Sequence, residues 1–316
     1  MAQIEREDIH LISRHSNLPA LSIKNLLQNQ VYNDRSAWIK FLKLFFISLG
    51  VGFTVSGILF FFAYNWADLH KFAKLGLVEG LLIAATLTAV FSKLSQDIKH
   101  ILLTGSAILI GVLFAVYGQI YQTGANAYDF FLGWTLFTVI WAVIANYAVL
   151  WVLFILLINT TIFLYAEQVA DHWSDIFVMA LQFVINSLFL IYFLKRPKDP
   201  EVKTPEWFIN LLAISAISFA TLGIVNGIFN TYEVSFLALI IITLALYGLA
   251  IKYGWENHKT IYFAIIPLSI IIIIAALLIK ISYDAIMFFV ITLFVIGSVT
   301  LVIKNLIGLQ KKWKNG

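Results

Sequence analysis

The 316-residue sequence contains no cysteine. Disulfides, thiolate metal sites and cysteine nucleophiles are therefore excluded. Charge is scarce as well: 12% of residues are Asp, Glu, Lys or Arg, against about 25% in soluble domains. Only five prolines occur. Three of them, Pro197, Pro200 and Pro205, fall in one short segment, and only Pro267 interrupts an apolar run. No phosphate-cradling glycine loop, nucleophile elbow or paired-carboxylate motif is present. The six histidines (His10, His15, His70, His100, His172, His258) read as loop or N-terminal residues, without the three- or four-residue spacing of a zinc site. An intramembrane enzyme is therefore the least favoured functional reading, and no metal or cofactor is expected.

What is abundant is apolar sequence. Hydrophobic residues make up 61%, aromatics 16%, and the mean hydropathy is +0.91. Ten apolar runs lie near 41–64, 73–93, 101–121, 130–146, 149–166, 176–194, 207–229, 234–251, 261–279 and 285–303. Each is close to the ~20 residues that cross a ~30 Å hydrocarbon core. Residues 130–165 cannot be one span, because a helix of that length would run about 54 Å at 1.5 Å per residue. Asn146–Tyr147 is the natural turn. In lipid the backbone must satisfy itself, which leaves helices or closed barrels. Runs this long and uniformly apolar are not barrel strands. The fold class is therefore an all-α polytopic bundle of about ten transmembrane helices, with the bilayer as its main partner.

Charge placement orients the bundle. Eighteen of the 21 basic residues fall in segments assigned to the inner side, leaving Lys71, Lys74 and Lys280 outside. This bias places both termini on the inner, cytoplasmic side of the membrane. It also explains the net charge of +4 without invoking nucleic acid. The chain divides into a cytosolic N-terminal helical segment (1–40), a six-span bundle (41–194), a linker (195–206), a four-span bundle (207–304) and a basic tail (305–316). Within the first segment, Ile9, Leu11 and Ile12 suggest one short helix, Pro19 a break, and Ser22 the cap of a second helix. Pro267 predicts a kink.

Residues 117–134, YGQIYQTGANAYDFFLGW, concentrate hydrogen-bonding groups at a membrane boundary without a single Lys or Arg. Gln119, Tyr121, Gln122, Asp129 and Trp134 belong to it. By topology Asn65, Lys74 and Glu79 fall on the same outer side. Glu79 is the only acid inside an expected span, and a carboxylate in lipid must be hydrated, paired or protonated. A bundle-facing Glu79 is expected to share an outer-side polar pocket with Gln119 or Tyr121. Gly76 and Gly80 would admit the neighbouring helix closely. Each residue also has a plain structural explanation: Trp134 and Tyr121 as an aromatic belt, Asp129 as a helix cap, the glutamines as interhelical bonds. Asn159, Gln182, Asn186, Asn210 and Asn226 in the later spans read as interhelical bonds too.

The run from Gly50 through Asn65–Trp66, the segment Lys74–Gly80, and Gln119-Ile-Tyr121-Gln122 followed by Asp129 and Trp134 resemble a bacterial family of predicted membrane proteins, domain of unknown function 2157. The polar N-terminal segment resembles that family as well, and the likeness covers about residues 5–165. It implies an inner-membrane location and a shared outer-side motif. The function expected is a transporter or ligand-binding membrane protein with its polar pocket on the outer side of spans one to four. The alternative is a non-catalytic scaffold or sensor that engages a membrane or cytosolic protein through its N-terminal helices.

Overall fold

The computed structural model describes residues 18–30, 35–65, 69–121, 124–196, 204–230 and 234–315, together with Ile9 and Ser13. Among these residues there are eleven helices and no strand. They are α1 (Ala20–Gln30), α2 (Arg35–Asn65), α3 (Lys71–Phe91), α4 (Gln96–Tyr121), α5 (Ala127–Ala145), α6 (Ala148–Gln168), α7 (Asp175–Lys195), α8 (Glu206–Phe229), α9 (Val234–Glu256), α10 (Thr260–Ile281) and α11 (Ala285–Asn315). The ten from α2 onward are long and apolar enough to cross a membrane. All ten expected spans are thus present as helices. Ser22 does not cap α1; the helix begins at Ala20, directly after Pro19. Of the helix expected around Ile9, Leu11 and Ile12, all but Ile9 lies outside the described residues. Helix α10 continues through Pro267.

The chain forms two compact units that part between Ile120 and Tyr121. Helices α7 and α8, on either side of the 195–206 linker, lie against each other in the second unit.

In the first unit Val55, Val78, Leu109, Val112 and Val116 are buried together, with Leu75, Leu82 and Ile58 around them. Helices α2 and α4 approach closely at Gly105, where an added Cβ would lie 2.6 Å from Val51. The stripe Gly105, Ser106 and Ala107 is buried for this reason. Lys40 and Asp97 pair at 3.2 Å between the starts of α2 and α4.

In the second unit α8 is central and packs on α7, α9 and α10. Its small residues Ala213, Ala216, Ala220, Gly223 and Gly227 are buried along its length. An added Cβ at Gly223 would lie 2.7 Å from Leu239, and one at Gly227 2.2 Å from the Phe236 ring. The close small-xxx-small contact is therefore Gly223–Gly227 on α8. Gly76 and Gly80, where that contact was expected, have nothing within 4 Å of an added Cβ. Helix α11 packs along α10 with no buried residue in its span.

Two polar clusters tie these apolar helices together. Asn186, fully buried on α7, donates to Asn159 Oδ1 of α6 at 2.8 Å and to the Gln182 carbonyl at 2.7 Å, and accepts from Ser215 of α8 at 3.1 Å. Gln182 donates to the Asn159 carbonyl at 2.9 Å. Ser269 of α10 bonds both Thr221 of α8 at 2.6 Å and Tyr247 of α9 at 2.7 Å. Asn159, Gln182 and Asn186 join helices as expected. Half-buried Asn210 is not a member of either cluster.

Candidate functional site

Of the residues singled out in the sequence, Lys74, Glu79 and Gln119 belong to the first unit and Tyr121, Asp129 and Trp134 to the second. Helix α3 buries Lys74, at 7% exposure, together with Val78 four residues on. Such a pair lies on one helix face. Glu79 follows Val78 by ~100° of helix rotation and is exposed, contrary to the expectation of a bundle-facing carboxylate. Gly76 and Gly80 are exposed beside it. Gln119, near the end of α4, is exposed, as is Tyr121 at 43%. Gln122 and the side chain of Asn65 lie outside the described residues.

Asp129 does act at the start of α5. Its carboxylate accepts from the backbone N–H of Asn126 at 3.1 Å, three residues back. Asn126 is the N-cap, so Asp129 forms one half of a capping box. Its neighbour Tyr128 donates its backbone N–H to Gln168 Oε1 at 3.0 Å, and its ring stands edge-on to Tyr165 at 5.2 Å. Trp134 packs its ring against Phe130 and Phe131. His100 sits in the first turn of α4 rather than in a loop.

A cavity lies elsewhere, wholly within the second unit. It measures about 290 Å³, is partly open, and is walled by α7, α8, α9 and the first turn of α10. Phe183, Leu190, Ala213, Ile217, Leu246 and Ala250 make it overwhelmingly apolar. From Phe183 to Lys195 the α7 wall runs about 18 Å at 1.5 Å per residue, a little more than half of a ~30 Å hydrocarbon core. Lys195, the last residue of α7, stands exposed at one end. Tyr253 and Tyr262 line the same end, their rings edge-on at 5.8 Å.

Tyr262 is 2% exposed, and its buried hydroxyl has no hydrogen-bond partner. Tyr247, deeper in the wall, is satisfied by Ser269. Around the same end Lys259 is paired with Glu206, and Lys252 lies 3.9 Å from Glu256. Lys195 has no carboxylate partner among the described residues. Sequence reading missed this site because its lining is ordinary apolar span. The available signals were Lys195 at the edge of a run and the tyrosines of three different helices.

The family model of predicted membrane protein (DUF2157) matches residues 20–151, less than half of the chain. No curated protein and no solved structure matches it. The matched segment spans α1 to α5 and the first residues of α6, and ends before every residue that lines the cavity. This match agrees with the resemblance read from Gly50–Trp66, Lys74–Gly80 and Gln119–Trp134: over residues 20–151 the chain is similar to the predicted-membrane-protein family named domain of unknown function 2157.

Proposed function

We propose that this protein is a multi-pass membrane protein that binds an amphiphilic ligand drawn from the bilayer, in the cavity of the second unit, without transforming it. The observation that carries this reading is an apolar cavity about half a hydrocarbon core deep with Lys195 at one end. Ligand sites are mostly apolar with a few placed polar groups, and this cavity has that composition. Binding of this kind is the common requirement of a transporter and of a ligand-binding membrane protein.

The charge bias supports an orientation with both termini and the 195–206 linker on the cytoplasmic side of the inner membrane. Cysteines placed at Asp171 and Lys198 of this cysteine-free chain test it. Outside labelling at 171 and protection at 198 agree with it, and the reverse contradicts it. Exposed Glu79 and Gln119 remain candidates for a polar outer surface. A partner role for the N-terminal segment is supported by α1, which leaves Leu21 73% exposed.

The test of the binding reading is native mass spectrometry of the purified full chain, beside Ala250→Phe, which fills the cavity from the half-buried α9 wall. One amphiphile retained per wild-type chain and lost from the variant supports the reading. Equal retention by both places binding elsewhere.

A further inference from the structure

We propose that the occupant of this cavity is one acyl chain of an anionic phospholipid from the leaflet on the side of the 195–206 linker, its phosphate held at Lys195. This inference rests on the reading of the cavity as the ligand site.

Depth is the first argument. The cavity lining runs from Phe183 in the middle of α7 to its last residue, Lys195, and from Leu246 to Tyr253 on α9. It is thus confined to one half of the bundle's thickness. A soluble ligand would need a mouth in water and no particular depth, whereas a lipid tail enters from its own leaflet and ends near the midplane. Size is the second. About 290 Å³ is at the low end of the ~300–1,000 Å³ of drug-sized pockets, which suits one chain rather than two. Walls of Leu, Ile, Ala and Phe offer a methylene chain contact and nothing to bond.

Charge is the third. The polar groups of the lining gather at the end where a headgroup would sit. Lys195 is the one charged residue of the lining, and it has no carboxylate partner among the described residues. Basic positions between helices at the cytoplasmic face attract anionic lipid headgroups. An uncharged lipid would leave Lys195 without a counter-ion.

The experiment places the full chain in nanodiscs of phosphatidylcholine doped with a tail-diazirine phosphatidylglycerol or with the same tail on phosphatidylcholine. Photolabelled positions are then mapped by peptide mass spectrometry. The expected result is labelling of the α7 and α9 lining by the phosphatidylglycerol probe at least fivefold over the phosphatidylcholine probe. Lys195→Glu should remove that preference with the melting temperature unchanged, because Lys195 is exposed. Ala250→Phe should reduce labelling by both probes. Equal labelling by both probes in the wild type overturns the anionic assignment and leaves the cavity reading standing. Absence of labelling by either probe overturns both. If Ala250→Phe fails to fold, the Lys195→Glu comparison alone decides the matter.

Discussion

Asn186 on α7 donates its amide to Asn159 Oδ1 on α6 across 2.8 Å, with no solvent-exposed surface of its own. The same side chain bonds the Gln182 carbonyl and accepts from Ser215, so one residue joins three helices. Apolar burial does not by itself hold helices together in lipid, because the tails are as apolar as leucine. Bonds of this kind average about 0.6 kcal/mol and reach about 1.7 in membranes.

Asn186→Leu should therefore destabilise the second unit by about 1–3 kcal/mol, because it strands Asn159 and Ser215 together. Among the described residues Asn226 bonds Asp175 and Asn230, in an exposed setting, and Asn226→Leu should cost less. Reversible unfolding in mixed micelles measures both. An equal cost at the two sites would contradict the role given to the buried cluster.

Gly227 and Gly80 make a second contrast. A Cβ at Gly227 would lie 2.2 Å from the Phe236 ring, while one at Gly80 meets open space. Gly227→Leu should cost about 1–3 kcal/mol by overpacking. Gly80→Ala should be neutral or gain up to about 1 kcal/mol from helix propensity. Thermal melts of the two variants rank them, and shortening Phe236 to Leu should recover part of the Gly227→Leu loss.

Asn146 holds the turn between α5 and α6 in the left-handed region, at φ 47° and ψ 41°, and accepts from the Arg196 guanidinium. A β-branched residue is strained there. Asn146→Val should cost about 1–2 kcal/mol from backbone strain alone. Asn146→Gly relieves the strain and loses only the Arg196 bond, so it should stay within about 1.5 kcal/mol of wild type. The same unfolding assay separates the two terms.

Much of the fold was legible before any coordinates. All ten spans, the turn at Asn146 and the polar links of Asn159, Gln182 and Asn186 follow from run length and from the cost of polar groups in lipid. The site was harder to read. Glu79 drew attention because a carboxylate in a span is costly, yet cost alone does not say which way α3 turns. That turn is set by the buried face of Lys74 and Val78. The Gly76–Gly80 spacing matched the small-residue pattern, but so did Gly223–Gly227, and only the position of Phe236 and Leu239 on α9 distinguishes them. The division between units at Ile120 and Tyr121 falls at the end of a helix, where composition gives no sign. Lys280, read as an outer loop charge, donates to the Ile228 carbonyl at the end of α8 and so serves as a helix cap.

Glu79 also yields a prediction. Because it is exposed, Glu79→Gln and Glu79→Leu should each change stability by no more than about 0.5 kcal/mol. A loss above about 2 kcal/mol in Glu79→Leu, measured in the same micelles, would mean that the carboxylate has partners the exposed placement does not provide.

The central claim is that the ligand site is the cavity of the second unit. A cryo-electron microscopy map of the full chain in nanodiscs made from mixed anionic and neutral phospholipid tests it most directly. The account predicts elongated density between Phe183, Ala213, Tyr247 and Ala250, ending beside Tyr262 and Lys195. An empty cavity, with ordered density instead at Glu79 and Gln119, would contradict it.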